Sequence, residues 1–173
     1  GWIGRTVGPR LRASRKALRN IQRALPDETP RRQDEILRGM WDNLGRVMAE
    51  YAHLDEVWHR TEVIGAETIR RMAETRTPTL FFSAHIANWE INLMGATRNG
   101  LPVTAVYRRP NNPAAGRLID HVRAVTGSRF VPKGRDGARE VMATLKNRGS
   151  VCMLIDQKMN DGIPIPFFGR DAM

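Results

Sequence analysis

The sequence has few of the features that mark secreted or membrane-spanning proteins. Its 173 residues include one cysteine, Cys152, so no disulfide can form within the chain. We expect this thiol to be buried in the apolar run around it. That run, residues 151–155, is five residues long, whereas a transmembrane helix needs about 20. Residues 1–25 contain no continuous apolar segment like that of a secretory signal peptide. The composition, 41% hydrophobic and 27% charged, predicts a globular domain with its own core.

The first 26 residues contain no acidic side chain. Their basic residues are Arg5, Arg10, Arg12, Arg15, Lys16, Arg19 and Arg23. The rest of the chain holds 21 basic residues against 18 acidic ones, so the net charge of +10 is concentrated in this arm. Apolar residues recur in it at helical intervals, at Leu11, Leu18, Ile21 and Leu25. The pattern predicts a basic amphipathic helix that binds an anionic membrane, a nucleic acid or an acidic protein, and composition alone fits a solvated charged tail equally well.

The periodicity of the remaining chain divides it into two parts. Thr29 and Pro30 have the residue types of a helix N-cap and a first helical position. Apolar residues three and four positions apart then predict a long helix that continues to about Tyr51. We therefore interpret residues 1–26 as a basic amphipathic juxtamembrane arm and residues 27–62 as a helical lead-in.

Residues 63–173 read as a strand–helix core. Short apolar runs occur at 79–84, 103–107, 129–131 and 151–155, and helix-like stretches at 66–74, 89–98, 114–125 and 137–148. Alternation of this kind, with strands apolar on both faces, predicts an α/β fold with a mostly parallel sheet flanked by helices. Ligands of such folds bind at the carboxyl ends of the strands. The polar residues that follow each strand are therefore the candidates for a site.

The first predicted strand is followed by His85 and, five residues later, by Glu90. Five residues turn a helix by about 500°, so the two side chains can meet only if His85 lies in a loop before the helix that contains Glu90. Asn88 is a suitable N-cap for that helix. A carboxylate beside an imidazole fixes its tautomer and makes it a general base for a hydroxyl. Taken alone, the pair also fits a histidine that merely ends a strand. The spacing does not fit a zinc-binding helix.

Five blocks of sequence extend this observation. They are residues 82–90 (Phe-Ser-Ala-His-Ile-Ala-Asn-Trp-Glu), 107–113 (Tyr-Arg-Arg-Pro-Asn-Asn-Pro), 134–137 (Gly-Arg-Asp-Gly), 149–157 (ending Leu-Ile-Asp-Gln) and 165–169 (Ile-Pro-Phe-Phe-Gly). In this order they resemble the bacterial lipid A biosynthesis acyltransferases, the lauroyl and myristoyl transferases. That family is part of a wider glycerolipid acyltransferase-like group, marked by a His, four residues, and an Asp or Glu.

The resemblance implies a reaction and roles for residues. The reaction is transfer of a fatty acyl chain from an acyl carrier protein thioester to a hydroxyl of a lipid A precursor, in lipopolysaccharide biosynthesis. It would take place at the cytoplasmic face of the bacterial inner membrane. His85 matches the general base and Glu90 the carboxylate that orients it. Acyl carrier protein, the lipid A precursor and an anionic membrane surface are the implied partners, with no nucleic acid, metal or cofactor.

The later blocks supply candidate substrate-binding residues. Arg109 matches the family arginine, and Arg108 beside it is an alternative for the same position. A guanidinium there suits an oxyanion or a phosphate. Asp136 and Asp156 match acids of the family, and each either faces the site or anchors a loop.

Two features of the chain leave other readings open. Family members usually carry a hydrophobic anchor ahead of a segment like residues 1–25 and continue well past the last block, so we expect a partial sheet, incomplete at the C-terminus. An inactive truncated relic of the family is thus one alternative. A basic nucleic-acid-binding α/β domain is another, although the body is nearly neutral and lacks interleaved basic and aromatic residues.

Overall fold

The computed structural model of the chain describes residues 1–108, 110–157 and 162–172. The chain divides into two units, Gly1–Leu54 and Asp55–Met173. Arg109, one of the predicted site residues, lies outside the described residues.

The first unit is helical. Its helices are α1 (Trp2–Val7), α2 (Arg12–Ala24) and α3 (Pro30–Glu50). Helix α3 begins as predicted, with Pro30 at its first position and the Thr29 hydroxyl accepting a hydrogen bond from the backbone N–H of Arg32 at 3.2 Å. This cap satisfies one of the N–H groups that a helix leaves without an internal partner.

The basic arm packs on the long helix. The indole Nε1 of Trp41 in α3 donates to the Ser14 hydroxyl at 2.9 Å, and that hydroxyl donates to the carbonyl of Gly8 at 2.6 Å. Gly8 lies so close to the Trp41 ring that a Cβ there would be 2.2 Å from ring atoms. The arm and α3 therefore belong to one unit, and the boundary between the two units falls after Leu54.

The second unit alternates helices and strands, as the apolar runs predicted. The helices are α4 (Leu54–His59), α5 (Ala66–Thr75), α6 (Glu90–Thr97), α7 (Pro113–Arg123) and α8 (Arg135–Lys146). The strands are β1 (Thr79–Ser83), β2 (Val103–Tyr107), β3 (Arg129–Pro132), β4 (Ser150–Leu154) and a separate hairpin of β5 (Ile165–Phe167) and β6 (Arg170–Ala172). The first four strands form one sheet in the order β1-β4-β2-β3, and every neighbouring pair is parallel. The predicted α/β fold is confirmed.

One face of the sheet packs against α5 and α6. The buried cluster there consists of Leu93, Ala96, Leu101, Val103, Ala105 and Cys152. Cys152 is buried as expected, and this burial, with the nearby charge of Glu90, raises the pKa of its thiol. At the edge strand β1, Phe81 packs against the cluster, whereas Leu80 and Phe82 point to the opposite face and are exposed.

None of the helices in the described part of the chain combines the length and the hydropathy needed to cross a bilayer.

Candidate active site

The carboxyl ends of β1 and β4 lie side by side. Ser83, the last residue of β1, pairs with Leu154, the last residue of β4, and the carbonyl of Ser83 accepts a hydrogen bond from Ile155 N–H at 3.0 Å. His85 follows β1 by two residues and Asp156 follows β4 by two. The parallel register therefore brings these two residues to the same edge, as predicted.

A loop of six residues connects β1 to α6. Ala87 in this loop has a φ of 49°, an uncommon backbone conformation for a residue with a side chain. The loop is held at both ends: the Asn92 amide in α6 donates to the Ser83 hydroxyl at 2.9 Å, and the Asn88 side chain accepts from Glu90 N–H at 3.3 Å. Strained backbone that is tied down in this way clusters at functional sites.

Asp156 holds both the ring and the backbone of His85. One carboxylate oxygen, Oδ1, lies 2.8 Å from Nδ1 of the imidazole, and the other, Oδ2, accepts from the backbone N–H of His85 at 2.8 Å. The amide nitrogen of Gln157 lies 3.3 Å from Nε2 on the other side of the ring. A carboxylate at Nδ1 favours a proton there, which leaves the Nε2 lone pair to accept one.

The pKa of Asp156 reflects this arrangement. Burial alone raises the pKa, but the hydrogen bonds from the ring and the backbone N–H of His85 outweigh it, so the pKa lies below its ordinary value. Asp156 is therefore a carboxylate at neutral pH and fixes the orientation of the imidazole.

Glu90 is paired with an arginine instead of with His85. Its side chain is buried, and its Oε1 accepts from Nε and Nη2 of Arg123, at 2.8 and 2.7 Å, and from the indole Nε1 of Trp89 at 3.1 Å. The Trp89 ring makes an edge contact with the imidazole of His85, with 4.8 Å between the ring centroids. Trp89 thus contacts both Glu90 and His85, while the nitrogens of the imidazole face Asp156 and Gln157.

The guanidinium of Arg123 is also held by aromatic rings. Its central carbon lies 4.9 Å from the centroid of the Phe130 ring and 5.5 Å from that of Tyr107. Cation–π contacts with β2 and β3 add to the charged hydrogen bonds that Arg123 donates to Glu90. The result is a well-positioned cation at the carboxyl edge of the sheet.

These side chains surround an open cleft. It has a volume of about 440 Å³, and its lining includes His85, Trp89, Tyr107, Arg108, Arg123 and Lys133. Three of the six are cations, and they share the cleft with the imidazole. The arrangement suits an anionic group, or an oxyanion that develops in a reaction, beside a proton acceptor.

The structure brings together some of the predicted site residues and not others. His85 and Asp156 are in direct contact, and Arg108 lines the cleft. Glu90 is buried and bonded to Arg123, which lines the cleft, and the expected Glu90–His85 pair is replaced by the Glu90–Arg123 and Asp156–His85 pairs. Asp136 is exposed in the first turn of α8 and pairs with Arg139 on the same helix at 3.4 Å.

Sequence reasoning missed Arg123 and Lys133. Lys133 directly follows β3, so the rule that pointed to polar residues after strands could have found it. Arg123 ends α7, where a cation is expected simply because it complements the helix dipole. Only the contact of α7 with β2 and β3 shows that this arginine belongs to the site.

Within the described ranges, no three His, Cys, Asp or Glu side chains are grouped so that they could hold a metal ion.

The parallel sheet carries a carboxylate-held histidine and a cationic cleft at its carboxyl edge, which together define a candidate active site of an α/β protein. The sequence model of one protein family, bacterial lipid A biosynthesis acyltransferase, matches residues 1–173, and the chain belongs to this family. A comparison with curated proteins finds no match. The chain is thus an acyltransferase of lipid A and lipopolysaccharide biosynthesis with a lipid A precursor as its substrate, and the resemblance noted in the sequence is confirmed.

Proposed function

We propose that this acyltransferase moves a fatty acyl chain from an acyl carrier protein thioester to a hydroxyl of the lipid A precursor, with His85 as the general base. It acts at the cytoplasmic face of the bacterial inner membrane and uses no metal or cofactor. The observation that carries the proposal is the pair of contacts by which Asp156 holds the ring and the backbone of His85, beside the cationic cleft.

The reaction needs one proton acceptor. Nε2 of His85 takes the proton of the acceptor hydroxyl as its oxygen attacks the thioester carbonyl, and a C–O bond forms. The tetrahedral oxyanion then collapses, the C–S bond breaks, and the thiolate takes the proton from the imidazolium. Asp156 holds the Nδ1 proton throughout and stabilises the imidazolium. The acceptor hydroxyl takes the place at Nε2 that Gln157 occupies, 3.3 Å away.

The cations of the cleft have two tasks. The guanidinium of Arg123 is the best-placed donor for the oxyanion, since its orientation is set by Glu90. Glu90 is therefore a positioning residue that acts through Arg123, and Asp156 is the carboxylate that orients the base. Arg108 and Lys133, which also line the cleft, suit the phosphates of the lipid acceptor or of the carrier's phosphopantetheine arm.

The test of this mechanism follows labelled acyl chains from the carrier protein to the lipid A precursor. His85→Ala should lower turnover by about 10²–10⁴-fold, the usual contribution of a positioned base. Asp156→Asn should lower it by about 10–100-fold, because it removes a charged hydrogen bond worth about 1.5–3 kcal/mol. The double variant should lose little more than His85→Ala alone, since the two residues act as a unit.

A matched control is His121→Ala, which removes an exposed histidine of α7. It should keep wild-type turnover, and circular dichroism should show every variant folded. Near wild-type turnover in His85→Ala would overturn the general-base assignment. A folded wild-type chain that transfers no acyl group would favour the inactive relic.

The basic arm supports a membrane surface as a partner. The basic residues of α2 are exposed, and Trp2 and Ile3 of α1 are exposed apolar residues of the kind that enter a bilayer interface. Each base near an anionic surface contributes about 1 kcal/mol. Replacing Arg15 and Arg19 by Glu should therefore weaken binding to anionic vesicles, and Arg31→Glu in α3 serves as the control. Salt-sensitive binding to duplex DNA, with no preference for anionic vesicles, would favour the nucleic-acid alternative.

A further inference from the structure

A second cavity, of about 380 Å³, lies between β1, α6 and the segment that leads into α5. Its walls are mainly apolar and include Ile69, Phe81, Ile91, Leu93, Val103 and Cys152. Glu62, which is exposed, is the only charged residue among those that line it in the described part of the chain. The volume is in the range of small-molecule sites, about 300–1,000 Å³, and the lining offers no charge to hold a polar ligand inside.

Gly95 of α6 determines how much room this cavity has. It lines the cavity and is buried, yet a Cβ built at this position would meet no atom within 4 Å. Its neighbours Met94 and Ala96 are also buried, and Ala96 lines the cavity as well. Glycine in a helix interior is less favourable than alanine. There is room for a side chain at Gly95, and its absence costs helix α6 some stability. We therefore take Gly95 as the position that keeps the cavity open.

The cavity is bordered by β1 and α6, the two elements that the loop with His85 connects. Ser83 at the end of β1 and Asn92 in α6 both line it, and they are hydrogen-bonded to each other at 2.9 Å. His85 is two residues beyond Ser83. Ile64, which also lines the cavity, is an exposed large apolar side chain and extends the apolar lining to the surface. One end of the cavity therefore lies beside the point where the loop that carries His85 leaves β1.

We propose that this cavity binds the acyl chain of the donor, and that Gly95 sets the length of chain that it accepts. The inference rests on the proposed function, since it takes an acyl thioester as the donor. A side chain at position 95 shortens the cavity, so long chains lose part of their contact area while short ones keep theirs.

The variants are chosen to change only the room in the cavity. Gly95→Leu fills it, and Gly95→Ala is a smaller change that helix α6 should tolerate. Ile69→Ala enlarges the cavity on the side of α5. Gly116→Leu is the matched control, because Gly116 is also a buried helical glycine whose added Cβ would meet no atom within 4 Å, but it lies in α7, outside the cavity.

The measurement is competition of saturated fatty acids, from octanoate to hexadecanoate, against a fluorescent fatty acid bound to the full chain. Gly95→Leu should weaken the binding of the longest acids by about tenfold or more relative to that of the shortest. This is the usual effect of methylenes that no longer fit a pocket. Gly95→Ala should shift the preference in the same direction by less, and Ile69→Ala should shift it towards longer acids. Gly116→Leu should leave the profile unchanged.

The inference would be wrong if the wild type bound no fatty acid, or if the Gly95 variants bound acids of every length equally weakly. It would also be wrong if the Gly95 variants kept the wild-type chain-length profile, or if Gly116→Leu shifted that profile as much as they do. The profile is also measured in His85→Ala, which should lose transfer and keep the length preference. A Gly95-dependent shift without acyl transfer by the wild type would support the cavity assignment and reject the proposed function. Transfer by the wild type, with product lengths unaffected in the Gly95 variants, would do the opposite.

Discussion

Two pairs of an acid and a base lie at the same edge of the sheet, and their surroundings differ. The side chains of His85 and Asp156 are 29% and 38% exposed, and His85 lines the open cleft. Those of Glu90 and Arg123 are 1% and 15% exposed and are packed against aromatic rings. The first pair is open to solvent, whereas the second is largely buried and reaches the cleft only through Arg123.

This difference assigns different tasks to the two pairs. A buried carboxylate without its counter-ion is costly, so Glu90 and Arg123 depend on each other for stability and hold each other in place. A half-exposed pair contributes little to stability, because water screens it, but its imidazole can exchange a proton with a substrate. Glu90, the carboxylate nearest to His85 in sequence, is therefore the partner of Arg123, and Asp156, 71 positions from His85, orients the imidazole.

The largest expected effect is a loss of stability when the buried Glu90–Arg123 pair is broken. Glu90→Ala leaves the guanidinium of Arg123 without its carboxylate inside the protein, and we expect the free energy of unfolding to fall by about 3–5 kcal/mol. Denaturant unfolding followed by circular dichroism measures this change.

Two controls sharpen the contrast between the pairs. Glu140→Ala removes the exposed ion pair with Arg129 and should cost at most about 1 kcal/mol. Asp156→Asn should also stay within about 1 kcal/mol of the wild type, although it lowers acyl transfer. The comparison breaks down if Glu90→Ala is as stable as these two variants, or if Asp156→Asn unfolds as readily as Glu90→Ala.

The strands were predictable because helices cover the sheet and leave each strand as a short apolar run. β1, β2 and β4 begin and end within a residue of the predicted bounds. The order β1-β4-β2-β3 could not be predicted in the same way, since periodicity carries no information on which strands become neighbours. That order depends on how each crossover helix packs, which is a tertiary property.

The same limit explains what was predictable in the site. The rule that polar residues after parallel strands converge placed His85 and Asp156 at one edge. Their hydrogen bonds also require β1 and β4 to be neighbours, and the sequence does not show this. Glu90 was the expected partner of His85 because local spacing allowed it. Arg123 of α7 reaches Glu90 across 33 positions, and that contact takes the place of the expected pair.

The smallest expected effect is a change in the free energy of unfolding with pH, which comes from the exposed His85–Asp156 pair. The pKa of Asp156 in the folded protein lies below its ordinary value of 3.8, because the hydrogen bonds from His85 outweigh burial. The folded state therefore binds this proton more weakly than the unfolded state. The resulting stabilisation is fully present above about pH 4 and is lost as the pH falls through the folded pKa. Its size should be at most about 1 kcal/mol, since the pair is half-exposed.

The pH dependence of unfolding in wild type and Asp156→Asn isolates this contribution, and the carboxyl signal of Asp156 in an NMR titration reports the pKa directly. In His85→Ala the hydrogen bond from the ring is gone while the opposing effect of burial remains, so the pKa of Asp156 should rise. In Glu90→Gln the pKa of Asp156 should stay below its ordinary value, because Glu90 belongs to the other pair. If Glu90→Gln raised the pKa of Asp156 as much as His85→Ala does, the two pairs would form one coupled network, and the division of tasks between them would have to be abandoned.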